Sequence, residues 1–232
     1  MMPPANPEHP VGLLLSGGLD SGILLYHLLQ NGTHVQPIYI RTQTVWQEAE
    51  LAHVRRLLSA LARPSLEKLK QLEMPLFDLY GEHWSLHGRH PPAADSPDDA
   101  VYLPGRNALL LVKAAIWCKQ RGIAKLALAP LATNPFGDTT PEFFDNFTRM
   151  INCSAGPALA IIRPFAALHK RDVMELGRGA PWAETFSCIA PVAGEHCGEC
   201  NKCGERQAAF RDAALPDPTR YAHRAATPHV MQ

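Results

Sequence analysis

Leu13-Leu14-Leu15-Ser16-Gly17-Gly18-Leu19-Asp20-Ser21 is the stretch on which the reading of this chain turns. The apolar run over residues 11–15 has the length and composition of a buried strand. After two glycines the sequence enters Ile23-Leu24-Leu25-Tyr26-His27-Leu28-Leu29, a helix expected to end at Asn31-Gly32. A strand, a glycine turn and a helix N-terminus make an anion site. The first-turn N–H groups have no partner within the helix, and the aligned peptide dipoles favour negative charge there. Gly17 and Gly18 are expected to allow positive φ and close approach of a ligand. Ser16 and Ser21 add hydroxyls, and Asp20 is placed to cap the helix or to hold magnesium. An ordinary glycine-rich strand-to-helix turn is the simpler alternative.

The chain has 232 residues, enough for one domain with an elaboration rather than two full domains. Acidic and basic residues balance at 22 each, which argues against electrostatic capture of nucleic acid or of a membrane surface. No apolar run approaches the roughly 18 residues of a spanning helix, and Met1-Met2-Pro3-Pro4-Ala5-Asn6-Pro7 lacks a signal-peptide core, so a cytoplasmic protein is expected. In that compartment six cysteines point to metal or catalysis rather than to disulfides.

Outward from the loop, residues 35–40 read as a second strand and residues 47–61 as a helix, with Leu51, Val54, Leu57, Leu58 and Leu61 on its core face. Alternating strands and helices imply a parallel sheet with right-handed crossovers. A third strand is expected within residues 72–77, despite Pro75. Residues 83–99 read as a long loop, either a lid, a partner surface or simply disordered. His83, His87 and His90 would share a helical face as metal ligands, but Gly88 and Pro91-Pro92 argue against that helix. A helix over 108–120, a strand over 125–129, a helix over 141–151, a strand over 159–162 and a helix over 170–176 follow. This gives about five parallel strands, with sites expected beyond their carboxyl ends.

Cys188, Cys197, Cys200 and Cys203 have the spacing C-x8-C-x2-C-x2-C. Short C-x2-C steps wrap a chain around one tetrahedral zinc, and four thiolates leave no open position, so the expected role is structural. An iron–sulfur cluster or a redox pair are the alternatives. His196 is read as lying behind the cluster or on the surface. Cys118 and Cys153 are read as packed bystanders.

These motifs resemble the QueC family, the 7-cyano-7-deazaguanine synthases, within the PP-loop ATP pyrophosphatases. The resemblance covers residues 11–221. It rests on the Ser16–Ser21 loop, which lacks the Gly-Lys-Ser/Thr of a Walker motif, and on Leu103-Pro104-Gly105-Arg106-Asn107. Asp138 with Pro141-Glu142-Phe143, residues 164–170, residues 188–210, and Asp217-Pro218-Thr219-x-Tyr221 complete it. It implies a Rossmann-like α/β fold: a PP-loop ATP-binding domain over 1–180, its parallel sheet flanked by helices, and a small four-cysteine zinc-binding subdomain over 181–232. It implies ATP with magnesium, a cytoplasmic homodimer, and adenylation of the carboxylate of 7-carboxy-7-deazaguanine. Ammonia would then give the amide, and a second adenylation the nitrile.

By the same resemblance Leu15, Ser16, Gly17, Gly18, Leu19, Asp20, Ser21, Arg106 and Asn107 bind ATP. Asp20, Ser21, Arg106 and Lys170 are the catalytic candidates, with Arg106 and Lys170 as phosphate cations. Asp138 and Glu142 are the candidates for binding the base, because a carboxylate accepts two N–H bonds side by side. The bland alternatives are an Arg106 that pairs a carboxylate, a solvated Lys170 and a helix-capping Asp138. The chain also departs from the family. The usual Ser or Thr after the loop serine is Gly22, and Tyr-Gly-Gln-Arg-His after the second strand is replaced by Gln43-Thr44-Val45-Trp46-Gln47. The substrate loop is reduced to residues 132–140, retaining Asp138. Three functions therefore stand open: synthesis of the amide or nitrile, coupling of the activated base to an amine of a protein partner, and non-catalytic nucleotide binding. No glutaminase-type domain is visible, so nitrogen would come from free ammonia, a partner or an amine substrate.

Overall fold

The structure, a computed structural model, describes residues 10–154 and 156–223. Strands β1 (Val11–Leu14), β2 (Val35–Arg41), β3 (Lys70–Glu73), β4 (Lys125–Ala127) and β5 (Ala160–Ile162) form one parallel sheet in the order β3-β2-β1-β4-β5. The described helices are α1 (Leu19–Gln30), α2 (Gln47–Ala60), the one-turn α3 (Phe77–Tyr80) and α4 (Trp84–His87), α5 (Arg106–Gln120), α6 (Pro141–Cys153), α7 (Lys170–Leu176) and α8 (Asn201–Asp212). None of them is long and apolar enough to cross a membrane.

Strand alternation sorts the core into two layers. In β2, Val35 and Tyr39 face one layer while Ile38 and Ile40 face the other. The first layer takes Leu13 and Leu15 from the β1 end, Leu24 and Leu28 of α1, Leu51, Val54 and Leu57 of α2, Val173 of α7 and Phe210 of α8. The second takes Leu126, Leu111, Ala115 and Cys118 of α5, and Phe144, Phe147 and Ile151 of α6. Gly12 is where the second layer presses closest to the sheet, since a Cβ there would lie 2.9 Å from Cys118 Sγ.

The third strand lies earlier than the sequence suggests. It pairs Ile38 with Lys70 and Arg41 with Glu73, and the next contact, Met74 N–H to the Arg41 carbonyl at 2.8 Å, is the last before Pro75. Pro75 has no N–H to extend the ladder, and the chain turns into α3. Residues 83–99 also hold structure. His83 caps α4, which stops at Gly88 (φ +74°), leaving His90 outside it, so the three histidines share no helical face. The rest of that segment lies against the cysteine region: Asn201 N–H donates to the Pro92 carbonyl and Ala94 N–H to that of Glu199, both at 2.9 Å. Helix α8 is a further element beyond those read from the sequence.

The strand order sets the location of the site. Going outward from β1, the chain places β2 and β3 on one side and β4 and β5 on the other. The crossovers therefore diverge at the carboxyl ends of β1 and β4 and leave a crevice between them.

Candidate functional site

The loop after β1 sits at that crevice. Gly17 has φ +80°, and a Cβ there would lie 2.7 Å from Val54 Cγ2, so both conformation and packing require glycine. Gly18 differs from the expectation. Its φ is −66°, it is the N-cap of α1, and a Cβ would meet nothing nearer than Ser16 Oγ at 3.6 Å. The first backbone bond of α1 runs from Gly22 N–H to the Gly18 carbonyl at 2.9 Å, which leaves the N–H groups of Leu19, Asp20 and Ser21 without helical acceptors. Ser16 and Ser21 hydroxyls lie 3.1 Å apart, and the Phe186 N–H donates to the Gly17 carbonyl at 2.7 Å.

Gly22 has little room for a side chain. A Cβ there would lie 2.9 Å from Thr185 Cγ2 and 3.4 Å from Leu57 Cδ2. The segment after β2 is held by its own contacts. Trp46 stacks on Trp84 of α4 with centroids 5.7 Å apart and lines the cleft, while Gln47 Oε1 accepts from the Gln43 N–H at 2.8 Å.

A cleft of about 220 Å³ is walled by Ser16, Gly18, Leu19, Asp20 and Ser21 of the loop, by Trp46 and Glu50, and by Arg106 and Lys170. Its far wall is Phe186 to Ile189 with Lys202, Glu205 and Arg206. A second cleft of about 210 Å³ shares Ser16, Asp20, Ser21, Glu50 and Arg106 and runs on to Leu14, Leu15, Asn107, Leu128 and Ala129, between the ends of β1 and β4. Lys170, the first residue of α7, donates to both carboxylate oxygens of Asp20 at 2.7 Å and lies 3.7 Å from Glu205, which pairs with Lys202 at 2.6 Å. Burial works against the Lys170 ammonium, but Asp20 and Glu205 outweigh it and hold its pKa above the usual lysine value. Arg106, one residue past Gly105 (φ +74°), makes no ion pair among the described residues, and its Nε is buried without a partner. The guanidinium therefore remains available to an anion.

Sequence reasoning did not single out Tyr39 and Glu50. The Tyr39 hydroxyl donates to Glu50 Oε2 at 2.6 Å. Burial pushes the Glu50 carboxyl up to about 7, against the opposing pull of the Tyr39 hydrogen bond and the Arg106 charge. One signal was available: Glu50 is in the first turn of the helix that follows the carboxyl end of β2, where open α/β sheets place their sites.

Asp138 is only 7% exposed and engages Asn107: Oδ2 accepts its N–H at 3.2 Å and Oδ1 its side-chain amide at 3.0 Å. This pair ties the start of α5 to the loop before α6. Asp138 also lines a smaller cleft with Tyr102 and Phe136, whose rings stack at 4.9 Å. Glu142 lies exposed on the first turn of α6, outside the walls of these clefts.

The sulfurs of Cys188, Cys197, Cys200 and Cys203 lie within 4.8 Å of one another, and two pairs are 3.8 Å apart. A tetrahedral zinc with bonds of about 2.3 Å spaces its sulfurs by about 3.8 Å. The backbone N–H groups of Ala190 and Cys197 donate to Cys188 Sγ, those of Glu199 and Cys200 to Cys197 Sγ, and that of Gly198 to Cys203 Sγ, at 3.3–3.4 Å. Such donors suit thiolates, so the residues present fit the metal. His196 Nε2 accepts from the Ser187 N–H at 3.1 Å, which places it behind the cluster; burial, with Arg206 and His53 nearby, pushes its pKa down to about 3. Cys203 stands on α8, three residues before the buried Arg206, so the cluster positions the far wall of the cleft.

The family model described as Queuosine biosynthesis protein QueC matches residues 11–214. A 7-cyano-7-deazaguanine synthase of Thiobacillus denitrificans is 32% identical over 226 residues, covering 90% of this chain and 97% of that protein. The synthase of Acaryochloris marina is 28% identical, covering 90% and 98%. 7-Cyano-7-deazaguanine synthase 1 of Desulfitobacterium hafniense is 30% identical, covering 88% and 92%.

Proposed function

The chain belongs to the QueC family, and on that premise we propose that it is an ATP-dependent ligase that adenylates 7-carboxy-7-deazaguanine and converts it with ammonia to the amide and the nitrile. One observation supports this most. The loop N–H groups, Arg106, which makes no ion pair among the described residues, and the Lys170–Asp20 pair line a single cleft beyond the carboxyl end of β1. Adenylation demands such a convergence. A carboxylate oxygen bonds to the α-phosphorus, the α–β bridge breaks, and pyrophosphate leaves with negative charge that donors and cations must already face.

In this reading the N–H groups of Leu19, Asp20 and Ser21, the two serine hydroxyls, Arg106 and Lys170 hold the pyrophosphate end. Leu15, Gly17, Gly18 and Asn107 shape the remainder of the ATP site, and Asp20 would be the carboxylate to hold a magnesium ion, which would neutralise phosphate charge there. Asp138 is the stronger candidate for the base, lining a cleft beside its bond to Asn107, whereas Glu142 stands outside the clefts and would reach a base only at the surface. Residues 1–180 then form the activating unit. Residues 181–232 form a subdomain in which zinc, when bound by the four thiolates, supplies structural cross-linking.

A second reading keeps the activation and changes the nucleophile. A wider cleft of about 480 Å³ leads from Asp20 and Lys170 past Phe136, Asp98 and Asp212. It offers room for an amine carried by a protein partner.

Mass spectrometry of a reaction with zinc-loaded protein, Mg-ATP, 7-carboxy-7-deazaguanine and ammonium tests the proposal. Nitrile with AMP and pyrophosphate is the expected result. An adenylate or a stalled amide would favour the second reading, and absence of ATP turnover would overturn both.

A further inference from the structure

We propose that Glu50 is the catalytic residue that takes a proton from the attacking amine, so that an ammonium ion drawn into the cleft reacts as ammonia. This rests on the activation reading above and assigns the second half of that reaction.

Two carboxylates, Asp20 and Glu50, stand where the two clefts meet at the loop. They are differently engaged. Both oxygens of Asp20 are held by Lys170. Glu50 gives only Oε2 to the Tyr39 hydroxyl, and its Oε1 has no partner among the described residues. Glu205, on the far wall, is taken up by Lys202 and Lys170. Glu50 thus carries the open carboxylate oxygen at the junction, half-buried beside Trp46 and Phe186. The charged and titratable groups around it are Tyr39 from β2, Asp20 from α1, Arg106 from α5, Lys170 from α7, Lys202, Glu205 and Arg206 from α8, and Cys188 of the cluster.

The chemistry needs such a group. Ammonium has no lone pair and cannot attack. Glu50 carboxylate binds the cation and accepts one proton, which frees the nitrogen pair. The pair forms the C–N bond at the acyl carbon, the bond from that carbon to the AMP oxygen breaks, and AMP leaves with the electrons. The nitrogen then sheds a second proton to water, giving the neutral amide. A base with a pKa close to the working pH accepts the proton without holding it permanently, and burial gives Glu50 that property.

The test compares Glu50→Gln with wild type at pH 7 in two half-reactions. The first-turnover burst of substrate-dependent pyrophosphate, measured without added amine, should stay within several-fold in rate. Amide formation from ammonium should fall by at least about 10²-fold. Hydroxylamine is neutral at that pH and needs no base, so hydroxamate formation should stay near the wild-type rate. Loss of both nucleophile reactions, or of neither, would overturn the proposal. A wild-type protein that releases no pyrophosphate would instead bring down the activation reading and this inference with it. Should Glu50→Gln misfold, Tyr39→Phe serves in its place. It removes the bond that favours the ionised carboxylate, so the acid limb of the ammonium reaction should move to higher pH, and an unmoved limb would overturn the proposal.

Discussion

Lys170 Nζ stands 2.7 Å from each carboxylate oxygen of Asp20, an ion pair between residues 150 positions apart that brings the first turns of α1 and α7 together. Because the pair is shielded and completed by Glu205, removing one member strands the other. Lys170→Ala should lower pyrophosphate release by about 10²-fold or more. Lys170→Met should do the same, which separates loss of charge from loss of packing. A kinetic assay with saturating ATP reads the effect; rates within twofold of wild type would deny Lys170 a place at the phosphates.

Glycines 17 and 22 make distinct predictions. Gly17→Ala places a Cβ at φ +80° and against Val54 and should cost about 1–3 kcal/mol of stability. A second change, Val54→Ala, should recover only part of it, since the backbone strain stays. Gly22→Ser adds a hydroxyl beside the loop but meets Thr185 Cγ2. Thr185→Ser deletes that methyl while keeping the hydroxyl that accepts from Arg206 at 2.9 Å. The double variant should therefore be more stable than Gly22→Ser alone. Urea unfolding curves measure all four.

Removal of zinc should disable the cleft as well as loosen the cysteine region. Lys202, Glu205 and Arg206 follow the cluster on α8. Metal binding supplies folding free energy on the order of 10 kcal/mol in small four-ligand sites. Chelation should lower Tm and abolish pyrophosphate release together, with one zinc per chain recovered by metal analysis.

Thiol accessibility should divide the six cysteines three ways. Cys153 is exposed and should react at once with a thiol reagent. The four cluster cysteines should react only after chelation. Cys118 is fully buried, and burial pushes its thiol up to about 12, so it should react only on unfolding.

Stability should also depend on pH through Glu50. Its folded pKa is raised to about 7 from an ordinary 4.5, so the native state holds a proton that the unfolded chain releases in that window. Stability from this group is full below the lower value and declines as pH rises toward the upper one. Glu50→Gln should thus be more stable than wild type at pH 8, by about 1–2 kcal/mol, and lose that advantage near pH 4.5. Denaturation midpoints at the two pH values decide the matter.

The parallel sheet, the anion loop and the cysteine cluster were legible because each is written in contiguous residues whose type follows from local physics. Helix α8 was not. Its buried side chains are Asn201, Cys203, Arg206, Ala209 and Phe210, a helical spacing occupied largely by polar groups. The metal cluster and the four acceptors around the Arg206 guanidinium, Thr219, Thr185, Ser187 and the Trp182 carbonyl, take the place of an apolar stripe. The Tyr39–Glu50 pair was invisible for another reason. It joins β2 to the helix that follows it, and only the fold brings the hydroxyl to the carboxylate.

The order in which the walls of the cleft occur along the chain has a consequence during synthesis. A nascent chain that has emerged as far as α7 already owns the loop, Arg106 and Lys170, but its cleft lacks Phe186 to Ile189 and all of α8. Domains fold as their residues leave the ribosome, so on the proposed function such a chain would hold nucleotide in a trough open to solvent. An acyl adenylate made there would be lost to hydrolysis. On the proposed activity, the cleft gains its far wall only once α8 has been made and the four cysteines beside it can hold a metal, so making that wall precedes productive turnover.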